Sequence, residues 1–253
     1  MLDLLIFDPM VNGLLLIYDF LFHDFALAII VFTILIRLIT LPLTLQQQRS
    51  TQRMQELQGS KRWQDMQKKH KGDRQKLQEE QLKLYREVGF NPLSGCLPLL
   101  IQFPILIGLY QSISRALALA PPQLFDLTKR IYPFISSSLI PINSSFLWWD
   151  LGQPERVISP QVLGFGLPVL TILVVLTSWV QTKLTTPPSA DSQSRQMSTM
   201  MSLYLPLLIG YFSYSYAAGL ALYFLVSNIL TVVQYAAMGK VNWRGLLSLR
   251  GNA

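Results

Sequence analysis

The sequence predicts an all-α integral membrane protein, on the basis of its composition, its long apolar segments and the placement of its positive charges. Of its 253 residues, 51% are hydrophobic and only 14% are charged, and the mean hydropathy is +0.34. These values are typical of a chain with several membrane spans rather than of a soluble domain. The length allows one compact membrane domain without a large soluble module beside it.

Five segments are long and apolar enough to cross about 30 Å of hydrocarbon as helices. They are residues 25–45, 91–118, 162–184, 197–212 and 219–238. The fourth is short, and would need a locally thinned bilayer or shielding by its neighbours. In the N-terminal segment, residues 1–24, the apolar stretch 8–24 is interrupted by Pro9, Asn12, Gly13 and Asp19, which favours a helix lying in the membrane interface over a sixth span.

The lysines and arginines predict how the spans are oriented. They are concentrated between the first two spans and recur after the last one, whereas the charged residues of the N-terminal segment are all acidic. The positive-inside rule therefore places the N-terminus outside and the C-terminus in the cytoplasm. On this topology, residues 119–161 form an extracytoplasmic loop, 185–196 a cytoplasmic loop and 239–253 a cytoplasmic tail. The first residues lack transit-peptide character, so we expect a multi-pass protein of the bacterial plasma membrane.

Residues 46–90 are rich in good helix formers, with a turn signal at Gly72-Asp73. We interpret this segment as a cytoplasmic helical hairpin. Its basic tip contains Lys68, Lys69, Lys71, Arg74 and Lys76. The tip is either a solvated face that obeys the topology rule or a docking surface for anionic lipid headgroups, ribosomal RNA or an acidic protein.

Arg37 lies in the middle of the first span, where an unpaired cation is strongly disfavoured. A guanidinium at the centre of a spanning helix costs about 2.5–3.5 kcal/mol on insertion scales. Roughly 13 Å of helix separates Arg37 from the polar Gln46, and the arginine side chain covers only part of that distance. Arg37 is therefore either paired inside the helix bundle or exposed to a polar intramembrane site.

Uncharged polar residues occur at membrane depth on three other spans. They are Gln102 and Gln111 on the second, Thr171, Ser178 and Gln181 on the third, and Ser227, Asn228, Thr231 and Gln234 on the fifth. Such groups commonly hydrogen-bond across helix interfaces in membranes. Alternatively, together with Arg37, they line a water-filled hollow that opens toward the cytoplasm.

The chain shows no catalytic or metal-binding pattern. The acids lie outside or at the edges of the predicted spans, Cys96 is the only cysteine, and His23 and His70 lie on opposite sides of the first span. These features exclude an intramembrane aspartyl protease, an H-E-x-x-H zinc site and a serine hydrolase with a buried histidine base. A phosphate-binding loop is also missing. We therefore predict a protein that is not an enzyme and uses no cofactor.

Ordered motifs resemble the YidC family of membrane protein insertases, whose relatives include the mitochondrial oxidase-assembly and chloroplast Albino proteins. The motifs are NPLSGCLPLLIQFP at 91–104, FLWWDLG at 146–152, LPVL at 167–170, QTKL at 181–184 and AGLALYFLVSN at 218–228. They occur in the family's order on the predicted topology, with an arginine in the first span. The resemblance covers about residues 25–238.

This resemblance implies five core helices around a hydrophilic groove that is closed on the outer side and open to the cytoplasm and to lipid. Arg37 matches the groove arginine of the family. Tyr223 and Phe224 match a position near the substrate path that usually carries two tyrosines, and Phe224 departs from that pattern. With the polar residues of the spans, these side chains make up the expected substrate-binding groove.

The resemblance also implies that the protein is an insertase and chaperone. An incoming segment would place its short hydrophilic tail against Arg37, while its apolar part slides along the second, third and fifth spans into lipid, without nucleotide hydrolysis. The implied partners are nascent membrane proteins and lipids; the ribosome, targeting factors and the Sec translocon are further candidates, and DNA is not. Two alternatives remain open from the sequence: a small-anion transporter or channel that uses Arg37, and an assembly factor for a single membrane complex.

Overall fold

A computed structural model describes residues 7–70, 72–87, 97–116, 130–133, 135, 142–155, 161–162, 165–185 and 192–239. Within these residues the protein is mainly helical. The helices are α1 (Asp8–Phe20), α2 (Phe25–Gly59), α3 (Lys61–Lys69), α4 (Arg74–Glu87), α5 (Leu97–Ala116), α6 (Val169–Thr185), α7 (Ser192–Ser215) and α8 (Ala218–Ala237). Four two-residue strands form two antiparallel hairpins, β1 (Ser145–Phe146) with β2 (Trp149–Asp150) and β3 (Gln161–Val162) with β4 (Phe165–Gly166).

The helix α2 covers the first predicted span and continues well beyond it. It begins after Asp24, whose carboxylate accepts the N–H of Leu27 at 3.0 Å, as expected of an N-cap residue. Pro42 lies inside the helix without ending it, and the helix extends to Gly59 over 35 residues. The first part of the segment that we interpreted as a separate hairpin is therefore a continuation of the spanning helix.

The third span shows the largest difference between expectation and structure. Helix α6 begins only at Val169, whereas the prediction started the span at residue 162; the residues before it form β3 and β4 instead. Pro168 accounts for this boundary, because proline has no N–H to donate and disfavours the helical conformation in the residue before it. The helix α7, with 24 residues, is longer than the predicted fourth span, and α8 agrees with the fifth to within a residue at each end.

By length and composition, α2 and α8 are each able to cross a membrane, and α6 is a shorter apolar helix. Helix α8 is central to the packing, since it contacts α2, α5, α6 and α7. Buried residues follow one another along its first half, from Ala218 to Phe224. The number of five spans and their orientation stay predictions.

Helix α1 packs against α2 and α5 through one apolar stripe. Val11, Leu14, Leu15 and Tyr18 are buried, at the spacing that places side chains on one face of a helix. The ring of Tyr18 also meets Phe25 edge-on at 5.9 Å between centroids. The segment predicted to lie in the membrane interface is thus held to the helix bundle by its apolar face.

The helices α3 and α4 pair antiparallel. Ser60 caps α3 by accepting the N–H of Trp63 at 3.3 Å, and the rings of Trp63 and Tyr85 lie 5.7 Å apart. At the same end of the helix pair, Arg62 donates to the carboxylate of Glu87 at 2.5 Å. A helical hairpin therefore exists within the predicted range, and its cytoplasmic location stays a prediction.

Gly219 permits a close approach of α8 to its neighbours. A Cβ atom at this position would lie 3.1 Å from Cδ1 of Ile29, 3.2 Å from the carbonyl oxygen of Leu151 and 3.3 Å from Cγ2 of Ile113. Since a backbone oxygen cannot rotate away as a side chain can, an added methyl group must displace packed elements.

We expect Gly219→Ala to lower the free energy of unfolding by about 1–3 kcal/mol through overpacking. Thermal unfolding of the purified protein in detergent, followed by intrinsic fluorescence, measures the change in Tm. Gly59→Ala is the matched control, because a Cβ atom there has no neighbour within 4 Å and alanine favours the helix. Equal Tm values for the Gly219→Ala variant and the parent protein would show that α8 is not tightly packed against its neighbours at Gly219.

Candidate functional site: a polar cluster around Arg37

Arg37 joins α2 to α8 through hydrogen bonds to neutral oxygens. Its Nη2 donates to the carbonyl oxygen of Ser227 at 3.2 Å and also to the Ser227 hydroxyl. Arg37 is half-buried, and Ser227 is buried. Within the described part of the chain, Arg37 forms no ion pair with a carboxylate. Among the described residues, the positive charge is therefore hydrogen-bonded by neutral oxygens but not neutralised by a carboxylate.

Tyr223 and Thr231 flank this contact on α8. Tyr223 lies one turn before Ser227 and is close enough to interact electrostatically with Arg37. Thr231 lies one turn after Ser227 and donates its hydroxyl to the Ser227 carbonyl at 2.8 Å. The carbonyl oxygen of Ser227 thus accepts two hydrogen bonds, one of them from a cation. Residues 223, 227 and 231 lie on one face of α8 because they are spaced four apart.

Helix α2 carries a matching polar face that sequence reasoning missed. Thr33, Thr40 and Thr44 lie on the same side of the helix as Arg37 at spacings of three and four. Their hydroxyls donate to the carbonyls four residues earlier, at 2.6, 2.9 and 2.7 Å, which satisfies them without a partner from another helix. The signal was present in the sequence, since these threonines recur with the period of a helix around the only cation of the span.

A second polar contact joins α8 to α6. Asn228 donates its Nδ2 to the hydroxyl oxygens of Ser178, at 2.7 Å, and Thr177, at 3.1 Å. Asn228 and Ser178 are both buried. Because successive residues point about 100° apart around a helix, Ser227 faces α2 while Asn228 faces α6. Two of the predicted groove residues, Ser178 and Asn228, therefore hydrogen-bond across a helix interface. This was the alternative to lining a water-filled hollow.

The remaining predicted groove residues are dispersed. Gln111, Gln181 and Gln234 are half-buried on α5, α6 and α8, and Nε2 of Gln234 is buried without a hydrogen-bond partner among the described residues. Thr171 lies in the first turn of α6 and donates its hydroxyl to Glu155 at 2.7 Å, so it belongs to a different contact. The side chain of Gln102 lies outside what the structure describes. The common groove for all these residues stays a prediction.

Phe224 faces an apolar cavity between α5, α7 and α8. The cavity has a volume of about 220 Å³. Its lining consists of Phe103, Leu106, Ile107, Tyr110, Phe212, Tyr216, Leu220 and Phe224. Adjacent residues on α8 thus face two environments, with Tyr223 beside Arg37 and Phe224 in the cavity. A phenylalanine at this position, where the family pattern has a tyrosine, adds to the apolar lining.

The described basic residues of the hairpin tip are exposed to solvent. Lys68 and Lys69 end α3, where positive charge is favoured by the helix dipole. Lys76, in the first turn of α4, pairs with Asp73 at 3.4 Å. Lys71 lies outside the described residues, as does the side chain of Arg74. In the described ranges, no group of three or more histidine, cysteine, aspartate or glutamate residues is placed to hold a metal ion.

Comparisons with known proteins identify the family. Residues 16–243 match the family described as 60Kd inner membrane protein. The chain is 34% identical over 219 residues to the membrane protein insertase YidC of Syntrophobacter fumaroxidans, covering 84% of this chain and 34% of that protein. It is 35% identical over 218 residues to the membrane protein insertase MisCA of Bacillus subtilis, covering 83% of this chain and 69% of that protein.

A solved structure agrees with this similarity. The crystal structure of an active YidC insertase with its first transmembrane domain resolved superposes with a TM-score of 0.58 at 28% sequence identity. The match covers 90% of this chain and 46% of the solved chain. The chain thus spans about a third of the Syntrophobacter relative and less than half of the solved protein. The protein therefore belongs to the YidC family, together with the oxidase-assembly and Albino proteins.

Proposed function

We propose that this protein is a membrane protein insertase and chaperone of the bacterial plasma membrane, with its N-terminus outside and its C-terminus in the cytoplasm. The observation that carries the proposal is the environment of Arg37. A guanidinium at membrane depth hydrogen-bonds to neutral oxygens of Ser227, and the described residues supply no carboxylate to neutralise it. The related proteins that are named insertases support the same function.

Arg37 has the chemistry to receive the polar end of an incoming segment. A guanidinium has five N–H donors, and the hydrogen bonds in the described part of the chain come from Nη2 alone. The other donors are suited to a carboxylate, which arginine binds in a bidentate manner. An acidic tail that enters the groove would therefore provide the missing counter-charge.

The apolar part of the segment requires a different surface. The cavity beside Phe224 supplies one, since its lining of leucine, isoleucine and aromatic side chains suits a hydrophobic helix. It lies between α5, α7 and α8, so we include the fourth span in the path, in addition to the second, third and fifth spans that the sequence resemblance suggested. Polar and apolar parts of a substrate would thus be received on adjacent faces of α8.

Insertion by this route needs no nucleotide. A polar tail in hydrocarbon loses its hydrogen bonds to water, which costs several kcal/mol for each unsatisfied group. Hydrogen-bonding partners at membrane depth lower this barrier, and release of the apolar segment into lipid is favourable. We propose nascent membrane proteins as the substrates, with the ribosome, targeting factors and the Sec translocon as candidate partners. No observation favours the alternative of a small-anion transporter or channel.

The exposed lysines of the hairpin support docking to anionic lipid headgroups. Lys68, Lys69 and Lys76 lie around the turn between α3 and α4. Each basic side chain near an anionic membrane surface contributes about 1 kcal/mol to its attraction. On the proposed topology the hairpin follows directly from α2, which places this tip on the cytoplasmic side.

Replacing Arg37 tests the proposed insertion mechanism. We expect Arg37→Ala to slow insertion of a single-span substrate with a short acidic outer tail about tenfold or more, because charge-assisted hydrogen bonds contribute about 1.5–3 kcal/mol each. Arg37→Lys should retain part of the activity, since it keeps the charge without the planar donors. Protease protection of the inserted tail in proteoliposomes measures the rate.

The same substrate with its tail acids changed to amides is the control. Its insertion should respond much less to Arg37→Ala, because it has no carboxylate to pair. Full activity of the Ala variant on the acidic substrate would refute the role of the groove charge. Anion flux through the purified protein that depends on Arg37, with insertion unaffected, would favour a channel instead.

The hairpin tip can be tested with a reporter at Gly72, where a side chain has no neighbour within 4 Å. A dye on Gly72→Cys, in a Cys96→Ser background, should approach the membrane in nanodiscs with anionic lipid but not in zwitterionic ones. Combined replacement of Lys68, Lys69 and Lys76 by Gln should abolish the difference, because about 3 kcal/mol of attraction is removed. Quenching by spin-labelled headgroups measures the distance. Lys83→Gln, elsewhere on α4, is the matched control; loss of quenching in that variant as well would argue against a specific tip.

A further inference from the structure

One acid of the predicted extracytoplasmic loop, Glu155, is completely buried. Glu155 has 0% relative exposure, and both of its carboxylate oxygens accept two hydrogen bonds. Oε1 accepts the indole N–H of Trp149 at 3.1 Å and the backbone N–H of Leu170 at 2.7 Å. Oε2 accepts the backbone N–H of Thr171 at 2.8 Å and its hydroxyl at 2.7 Å. The carboxylate therefore satisfies the first turn of α6.

The segment that carries Glu155 also holds the start of α8. In residues 149–155, which we call the strap, the carbonyl of Gln153 accepts the N–H of Ala218 at 2.8 Å, and that of Leu151 accepts the N–H of Gly219 at 2.9 Å. Pro154 pairs with Ala217 as an isolated antiparallel bridge. One short segment thus provides hydrogen-bond acceptors to the N-terminal turns of two helices.

Both contacts use the N–H groups that a helix leaves unpaired at its first turn. Unsatisfied groups of this kind are expensive near a bilayer, and the helix dipole favours a negative charge at this end. A glutamine in place of Glu155 would direct an NH₂ group toward one of the donor pairs, so it cannot reproduce the four hydrogen bonds. The carboxylate is needed for its acceptor capacity and for its charge.

The strap lies at the N-terminal ends of α6 and α8, two of the three helices that build the polar cluster around Arg37. Helix α6 contributes Ser178, and α8 contributes Ser227 and Asn228. Ser227 is eight residues after Gly219, about 12 Å along α8. A segment that joins the first turns of both helices therefore lies across the end of the cluster that is opposite its predicted cytoplasmic opening.

We propose that Glu155 is a positioning residue that keeps the strap closed across α6 and α8, so that the cluster around Arg37 is reached from one side of the membrane only. This inference rests on the proposed function, which places the strap on the outer side of the membrane. It predicts that loss of the Glu155 carboxylate opens a route from the strap side to Ser227 while the helices stay folded.

Asp150 provides a matched control within the same strap. Its Oδ1 accepts the Ser144 hydroxyl at 2.6 Å and the N–H of Gly152 at 3.0 Å, and these contacts stay within the loop. Neutralising Asp150 thus removes a carboxylate from the strap without freeing a donor of α6 or α8.

Cysteine accessibility tests the inference without a substrate. In a Cys96→Ser, Ser227→Cys background, a membrane-impermeant maleimide is added from the strap side or from the opposite side of proteoliposomes. We expect Glu155→Gln to raise the labelling rate from the strap side about tenfold or more, as loss of a charge-assisted hydrogen bond allows. Labelling from the opposite side should stay unchanged, and Asp150→Asn should behave like the parent protein. If Glu155→Gln does not accumulate, Thr171→Val is used in its place. This variant removes only the hydroxyl donor to Glu155, and we expect a smaller increase in strap-side labelling.

Unchanged strap-side labelling in folded Glu155→Gln, or in Thr171→Val where that variant is used, would overturn the inference. An equal increase in Asp150→Asn, or an equal increase from both sides, would overturn it too, because these results indicate general loosening. The labelling requires no insertion activity. A failure of the strap inference is therefore distinguishable from a failure of the proposed function, which the Arg37 variants test.

Discussion

The hydrogen bonds from Arg37 to Ser227 are the interaction on which the rest of the structure depends. A guanidinium within the apolar first half of α2 is tolerated only where polar atoms surround it, and α8 provides them with a serine carbonyl and hydroxyl. This requirement fixes which face of α8 is turned toward α2. It also places Asn228 toward α6, where it hydrogen-bonds to Ser178 and Thr177.

The central position of α8 follows from its small and polar residues. Gly219 lets α8 approach Ile29 of α2, Ile113 of α5 and the strap at close distance. Nearer the C-terminal end of α8, Asn228 joins this helix to α6. Between these contacts, Tyr223 and Phe224 face a charged and an apolar environment respectively. One helix therefore presents two chemically different surfaces side by side.

Helix positions were predictable where local signals were strong. The apolar length of α8 gave its bounds to within a residue, and the turn at Gly72-Asp73 separates α3 from α4. The predicted start of α6 was wrong because the sequence stays hydrophobic through residues 162–168. In the structure, Pro168 and the strand pairing before it delay the start of the helix to Val169. The length of α7 was underestimated because polar residues in its first turns lowered the apolar count. Hydropathy reports burial in lipid, not where helical hydrogen bonding stops.

By itself, the sequence indicated a helical membrane protein with one cation inside its first apolar segment, because apolar length and charge placement are properties of single segments. Its ordered motifs also identified the family. Only the tertiary structure decided which polar residues meet. It paired Arg37 with Ser227 and Asn228 with Ser178, and it assigned Thr171 to Glu155. The reason is physical: a hydrogen bond across helices depends on the rotation and depth of both helices, and a linear pattern specifies neither.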